Sequence, residues 1–91
     1  MSNKAKFPLG EVVATSNALE SLTPIDILSA LFRHHTGDWG DVDEHDRQQN
    51  EFALQNGLRL MSVYHSEKGV KFYIVTEASR EITTVLLPED Y

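Results

Sequence analysis

Residues 58–88, "LRLMSVYHSEKGVKFYIVTEASREITTVLLP", decide the fold. Three runs rich in β-branched and aromatic residues, "LRLMSVYHS", "VKFYIVTE" and "ITTVLLP", are separated by "EKG" and "ASRE". That pattern predicts three strands in an antiparallel meander. Pairing Ser66 with Val70 across a turn with Gly69 at its positive-φ position sets Arg59 opposite Glu77, a favourable cross-strand charge pair. In that register one face carries Leu60, Tyr64, Phe72, Ile74, Ile82 and Leu86. The other carries Met61, Val63, Tyr73, Val75, Val85 and Leu87. A sheet apolar on both faces needs cover on both.

Helices are expected upstream. Thr23, Pro24 and Asp26 form an N-terminal signature of cap, first-turn proline and acid at the positive end of the macrodipole. Ile25, Leu28 and Phe32 with Ile27 and Leu31 recur at helical spacing through His35, predicting a broad core-facing surface that Gly37 ends. The segment "DEHDRQQNEFALQNG" predicts a second helix, closed by Asn56-Gly57 and with Phe52 and Ala53 as its firm apolar positions. "TSNALESL" suggests a short helix capped by Thr15 or Ser16, and Val12 and Val13 suggest a short strand. Internal cover by residues 7–22, a second copy of the chain or a partner are the three ways to cover the second sheet face.

The whole is expected to be one α+β domain over residues 7–91, with residues 1–6 a flexible N-terminus. It contains two or three helices packed on a three-stranded antiparallel meander, with a short N-terminal strand as an optional addition. Ninety-one residues suffice for one small core and not for two. With 41% hydrophobic and 24% charged residues the chain falls among folding rather than disordered sequences. No cysteine is present, which removes disulfides, thiolate nucleophiles and sulfur-ligated metals. No apolar run approaches the length that crosses a bilayer and "MSNKAKFPLG" lacks a signal-peptide core, so the expected location is cytoplasmic.

Between the helices lies "GDWGDVDEHD", residues 37–46. From Asp38 to Glu51 six carboxylates stand against Arg47 alone, a net −5 within a chain total of −6. Direct nucleic-acid binding needs a basic stripe, and none is visible. Asp41 with Glu44, or Asp43 with Asp46, fits a helix cap, so the stretch reads chiefly as helix punctuation with an exposed acidic shoulder as its by-product. Trp39 is expected to plug the loop. Trp39, Asp41, Asp43, Glu44 and Asp46 are the partner-binding candidates, suited to a basic cleft.

Other chemistry is weaker. His34, His35 and His45 with Asp38, Asp41, Asp43 and Asp46 supply oxygen and imidazole ligands, but at no specific metal spacing, so neither metal nor cofactor is expected and a metal-binding protein through residues 34–46 ranks third. His65, Lys71 and Arg80, with Thr83, Thr84 and Tyr91 near them, form the alternative of a toxin-like ribonuclease, a base beside cations that stabilise a phosphorane. No serine-centred triad motif or phosphate-cradling glycine loop occurs. A binding role is therefore expected ahead of an enzymatic one, with the ribonuclease kept as the alternative.

"FPLGEVVAT", "GDWGDVDEHDRQQNE" and "YIVTEASREITTVLLPEDY" resemble the blocks of a short bacterial family labelled "plasmid-related protein", carried on plasmids, integrative elements and prophages. The resemblance runs from Phe7 to Tyr91 and brings no catalytic residues with it. It implies an accessory protein of a mobile element that acts by protein–protein binding, inhibiting or modulating a host defence or maintenance complex. The partner is then a host- or element-encoded protein; the homodimer is an expectation from the second apolar sheet face alone.

Overall fold

The computed structural model describes residues 4–91. Along the chain run β1 (Glu11–Ala14), α1 (Ser16–Ser21), α2 (Pro24–His35), α3 (Glu44–Asn56), β2 (Leu60–His65), β3 (Lys71–Thr76) and β4 (Ile82–Leu86), followed by a 3-10 turn at Pro88–Asp90. Of the stretch expected to be flexible, residues 1–3 lie outside the described residues, whereas Lys6 donates its N–H to His35 at 2.9 Å.

The architecture is α+β, but the sheet is not a three-stranded antiparallel meander. It has four strands in the order β1-β4-β3-β2. The meander is present as β2, β3 and β4, and β1 adds to β4 in parallel, Glu11 beside Ile82 and Ala14 beside Val85. A parallel neighbour requires a crossover, here supplied by all three helices and the β2–β3 hairpin. Four residues of "EVVA" carry too little pattern to show which strand they would join.

The β2–β3 register is the expected one. Tyr64 pairs with Phe72 and His65 with Lys71, the turn closes through Ser66 N–H to Val70 at 2.9 Å, and Arg59 meets Glu77 at 3.7 Å. The expected faces of β4 are reversed. Ile74 pairs with Val85 and Tyr73 with Leu86, so Thr83, Val85 and Leu87 point inward and Ile82 and Leu86 outward. The cause is the turn at residues 77–81. Its Arg80 has φ 65° and its N–H bonds Glu77, and a shift of one residue in such a turn exchanges the faces of the strand that follows.

The inner face packs Tyr64, Phe72, Ile74, Val85 and Leu87 against Ala18, Leu22 and Ala30 of the α1–α2 layer, with Ile27 and Leu31 at the margin. At roughly 25 cal/mol per Å² of apolar surface, such burial is the main stabilising term of a domain this small. A second cluster, Phe7, Trp39, Ala53 and Leu60, ties α3 to the open side of β2. On the outer face Val75 and Leu86 are buried, and Tyr91 returns to stand edge-on to Tyr73 at 5.8 Å. Residues 7–22 do not cover that face; they extend the sheet and cap the inner layer.

α2 begins as expected, with Thr23 and Asp26 exchanging side-chain and backbone hydrogen bonds of 3.0 and 3.1 Å. Its inward face differs. Ile27, Ala30, Leu31 and His34 turn to the sheet, while Ile25, Leu28 and Phe32, expected in the core, are exposed. Both faces are apolar, and periodicity alone cannot rank them.

Candidate functional site

The loop from Gly37 to Asp43 closes one edge of the sheet. The Asp38 carboxylate accepts from Arg33 at 2.8 Å and from the Gly40 N–H at 3.1 Å, and the Arg33 guanidinium is the main reason its carboxyl is held below the ordinary aspartate range. Gly40, at φ 80°, lies so close to β2 that a Cβ would stand 2.0 Å from the Val63 carbonyl. That approach lets Val63 donate to Trp39 at 3.0 Å and accept from Asp41 at 2.7 Å. Asn50 of α3 completes the closure, accepting from Met61 N–H at 3.1 Å and donating to the Met61 carbonyl at 2.8 Å. The outward backbone groups of Met61 and Val63 are thereby satisfied, which protects an otherwise exposed strand edge.

Trp39 is the expected plug. Only 3% exposed, it stacks on Phe7 at 6.1 Å and meets His34 edge-on, while its indole N–H donates to Glu51 at 2.7 Å. Its ring is therefore absent from the surface that Asp41, Asp43, Glu44 and Asp46 present, all four of which are exposed. Asp43 caps α3 through Asp46 N–H at 2.8 Å. Glu44 is held at about 2 by hydrogen bonds from Arg47 first and Gln48 second. Asp41 approaches His65 at 3.4 Å.

Beside this shoulder lies a groove of about 670 Å³ between α3 and the outer side of β2. Val42, Phe52, Leu58, Met61 and Val63 supply its apolar lining, and Asp46 and Gln49 contribute polar groups. Phe52 is 59% exposed, so the segment expected to supply two core positions supplies one, Ala53. The two surfaces that the sequence suggested separately, the acidic shoulder and the outer sheet face, share this groove.

The histidines do not gather. His34 is fully buried, its Nδ1 2.6 Å from Ser62 Oγ and its Nε2 2.8 Å from Thr76 Oγ1. Thr76 in turn lies 2.8 Å from Thr83, whose hydroxyl donates to the Leu9 carbonyl at 2.6 Å. Burial, followed by the charges of His35 and Arg80, pushes His34 down to about 3. Asp38 is committed to Arg33 and His45 is exposed on α3. Among the described residues no three histidine, aspartate or glutamate side chains converge on one point. Three inward hydroxyls on adjacent strands, facing a histidine at the inward phase of α2, were the signal for this network.

The nuclease candidates separate. His65 and Lys71 face each other at the hairpin end of β3, whereas Arg80 follows its opposite end. At about 3.4 Å per residue the length of that strand lies between them. Arg80 is committed elsewhere, donating to Leu58 at 2.6 Å and Ala53 at 3.1 Å, where it ties the last turn of α3 to the β3–β4 turn. Thr83 belongs to the buried network, while Thr84 and Tyr91 line a hollow on the outer face.

No family model, curated protein or solved structure matches this chain. No helix among the described residues is long and apolar enough to cross a membrane.

Proposed function

We propose that the chain is a protein-binding module whose docking surface is the groove between α3 and β2 together with its acidic shoulder. The observation that carries this reading is the continuity of the two: Val42 and Asp46 of the acidic segment line the same groove as Met61 and Val63 of the outer sheet face. Binding pockets commonly pair an apolar floor with a few placed polar groups. The complementary partner offers an apolar side chain flanked by lysines or arginines, drawn in by the net −5 of residues 38–51. The resemblance to plasmid-borne proteins makes that partner a host- or element-encoded protein, and the role that of an accessory factor which inhibits or modulates its complex.

The test is affinity purification from host lysate with an amino-terminal tag, comparing the wild-type chain with Phe52→Asp and with a variant carrying Asp41→Asn, Asp43→Asn and Asp46→Asn. A stoichiometric protein is expected with the wild type, lost with Phe52→Asp and bound more weakly, with less salt dependence, by the neutralised variant. Retention by all three in equal amount sinks the reading.

A further inference from the structure

The outward side of α2 is used by neither the core nor the groove. Ile25, Leu28 and Phe32 are 71%, 64% and 53% exposed, and the small, exposed Ser29 lies among them. Steps of three and four residues set these side chains in one stripe, opposite the buried Ile27, Ala30, Leu31 and His34. Contiguous apolar patches beyond a few hundred Å² are uncommon on monomers and mark interaction surfaces.

We propose that a second copy of this chain covers the stripe, with the two α2 helices antiparallel across a two-fold axis that passes between Leu28 and Ser29. The stripe is self-complementary in that arrangement. Ile25 of one copy lies against Phe32 of the other, and Ser29 at the crossing lets the helices approach to the usual 8–10 Å. The stripe holds no charged side chain, so the seam sets no like charges together.

The flanking charges select the direction. Asp26 and Arg33 lie on the same flank of the stripe, one near each end of α2, because seven residues are almost two turns. In an antiparallel pair equal flanks meet, so Asp26 of each copy, which within its own chain accepts from the Thr23 and Glu67 N–H groups and pairs with no cation among the described residues, comes beside the half-exposed Arg33 of the other, which Asp38 already holds from one side, and the axis generates the contact twice. The helix dipoles also oppose favourably, the positive N-terminal end of one α2 lying beside the negative C-terminal end of the other. A parallel pair would bring like ends together. This dimer is independent of the groove reading, since no α2 residue lines that groove.

The experiment is sedimentation equilibrium on the full chain, with cross-linking to set direction. Twice the chain mass is expected, and Leu28→Asp should return the mass to one chain with its far-UV circular dichroism unchanged, because the position is exposed. Because the chain has no cysteine, introduced ones report cleanly. Ser29→Cys should form a disulfide dimer by itself, and Ile25→Cys should do so only when mixed with Phe32→Cys. A monomer up to millimolar concentration, an undiminished dimer in Leu28→Asp, or cross-linking of Ile25→Cys to itself overturns the proposal.

Discussion

His34 Nδ1 and Ser62 Oγ lie 2.6 Å apart with both side chains wholly buried. The direction of every hydrogen bond in their network follows from its far end. Thr83 spends its one proton on the Leu9 carbonyl, so Thr76 must donate to Thr83, His34 Nε2–H to Thr76, and Ser62 to His34 Nδ1. A serine donating to an imidazole has the geometry of an activated nucleophile. Here no substrate can reach it, and the network instead joins α2 to β2, β3, β4 and the segment before β1.

Replacing His34 tests this joining role. His34→Ala leaves Ser62 without its acceptor and Thr76 without its donor and opens a core cavity, so a loss of about 3 kcal/mol or more is expected in denaturant titration. Ser62→Ala removes one donor and should cost less. Equal, small losses for both would show that the chain of hydroxyls contributes little.

Acid should weaken the fold earlier than carboxylate protonation alone. The folded-state value of His34 is about 3, below the ordinary 6.5, so the unfolded chain takes up a proton there that the folded chain refuses. Stability conferred by neutral His34 is therefore full above about pH 6.5 and lost as pH falls toward 3, at a limiting slope of about 1.4 kcal/mol per pH unit. Asp38, whose carboxyl is held low chiefly by Arg33, adds its own loss only below the ordinary aspartate range. Stability measured between pH 7 and 4.5 should fall for the wild type and much less for His34→Gln. A flat wild-type profile would contradict the buried neutral imidazole.

Gly40 and Gly69 should respond differently to the same substitution. Both have positive φ, 80° and 87°, yet a Cβ at Gly40 meets the Val63 carbonyl at 2.0 Å whereas one at Gly69 meets nothing within 4 Å. Gly69→Ala should cost about 1 kcal/mol from backbone conformation alone. Gly40→Ala must also push residues 39–41 off β2 and should cost several times as much in thermal or chemical unfolding.

Asn50 should act on association as well as on stability. Asn50→Ala leaves the Met61 N–H and carbonyl bare on the β2 edge, at about 1–3 kcal/mol. It also exposes a pairing edge, so light scattering during mild heating should rise earlier than in the wild type. Asn50→Asp keeps an acceptor for the N–H but sets a carboxylate against the carbonyl, and should be no better.

Local chemistry determined much of this protein from sequence alone. The cap at Thr23, the αL stop at Gly57, the cap at Asp43 and the Gly69 hairpin each depend on a few neighbouring residues, so their signals are complete within the segment. The β2–β3 register was legible for the same reason, because a short turn and a charge pair constrain it. Three decisions belonged to the tertiary structure. Which apolar face of α2 is inward depended on His34 finding Ser62 and Thr76, partners 28 and 42 residues away. Which face β4 presents depended on a left-handed Arg80, whose guanidinium reaches carbonyls of α3 and the residue after its cap. That β1 joins β4 in parallel, and that the acidic shoulder and the outer sheet face share one groove, depended on the path of the whole crossover. Periodicity records that a surface is apolar. Only packing decides what it meets.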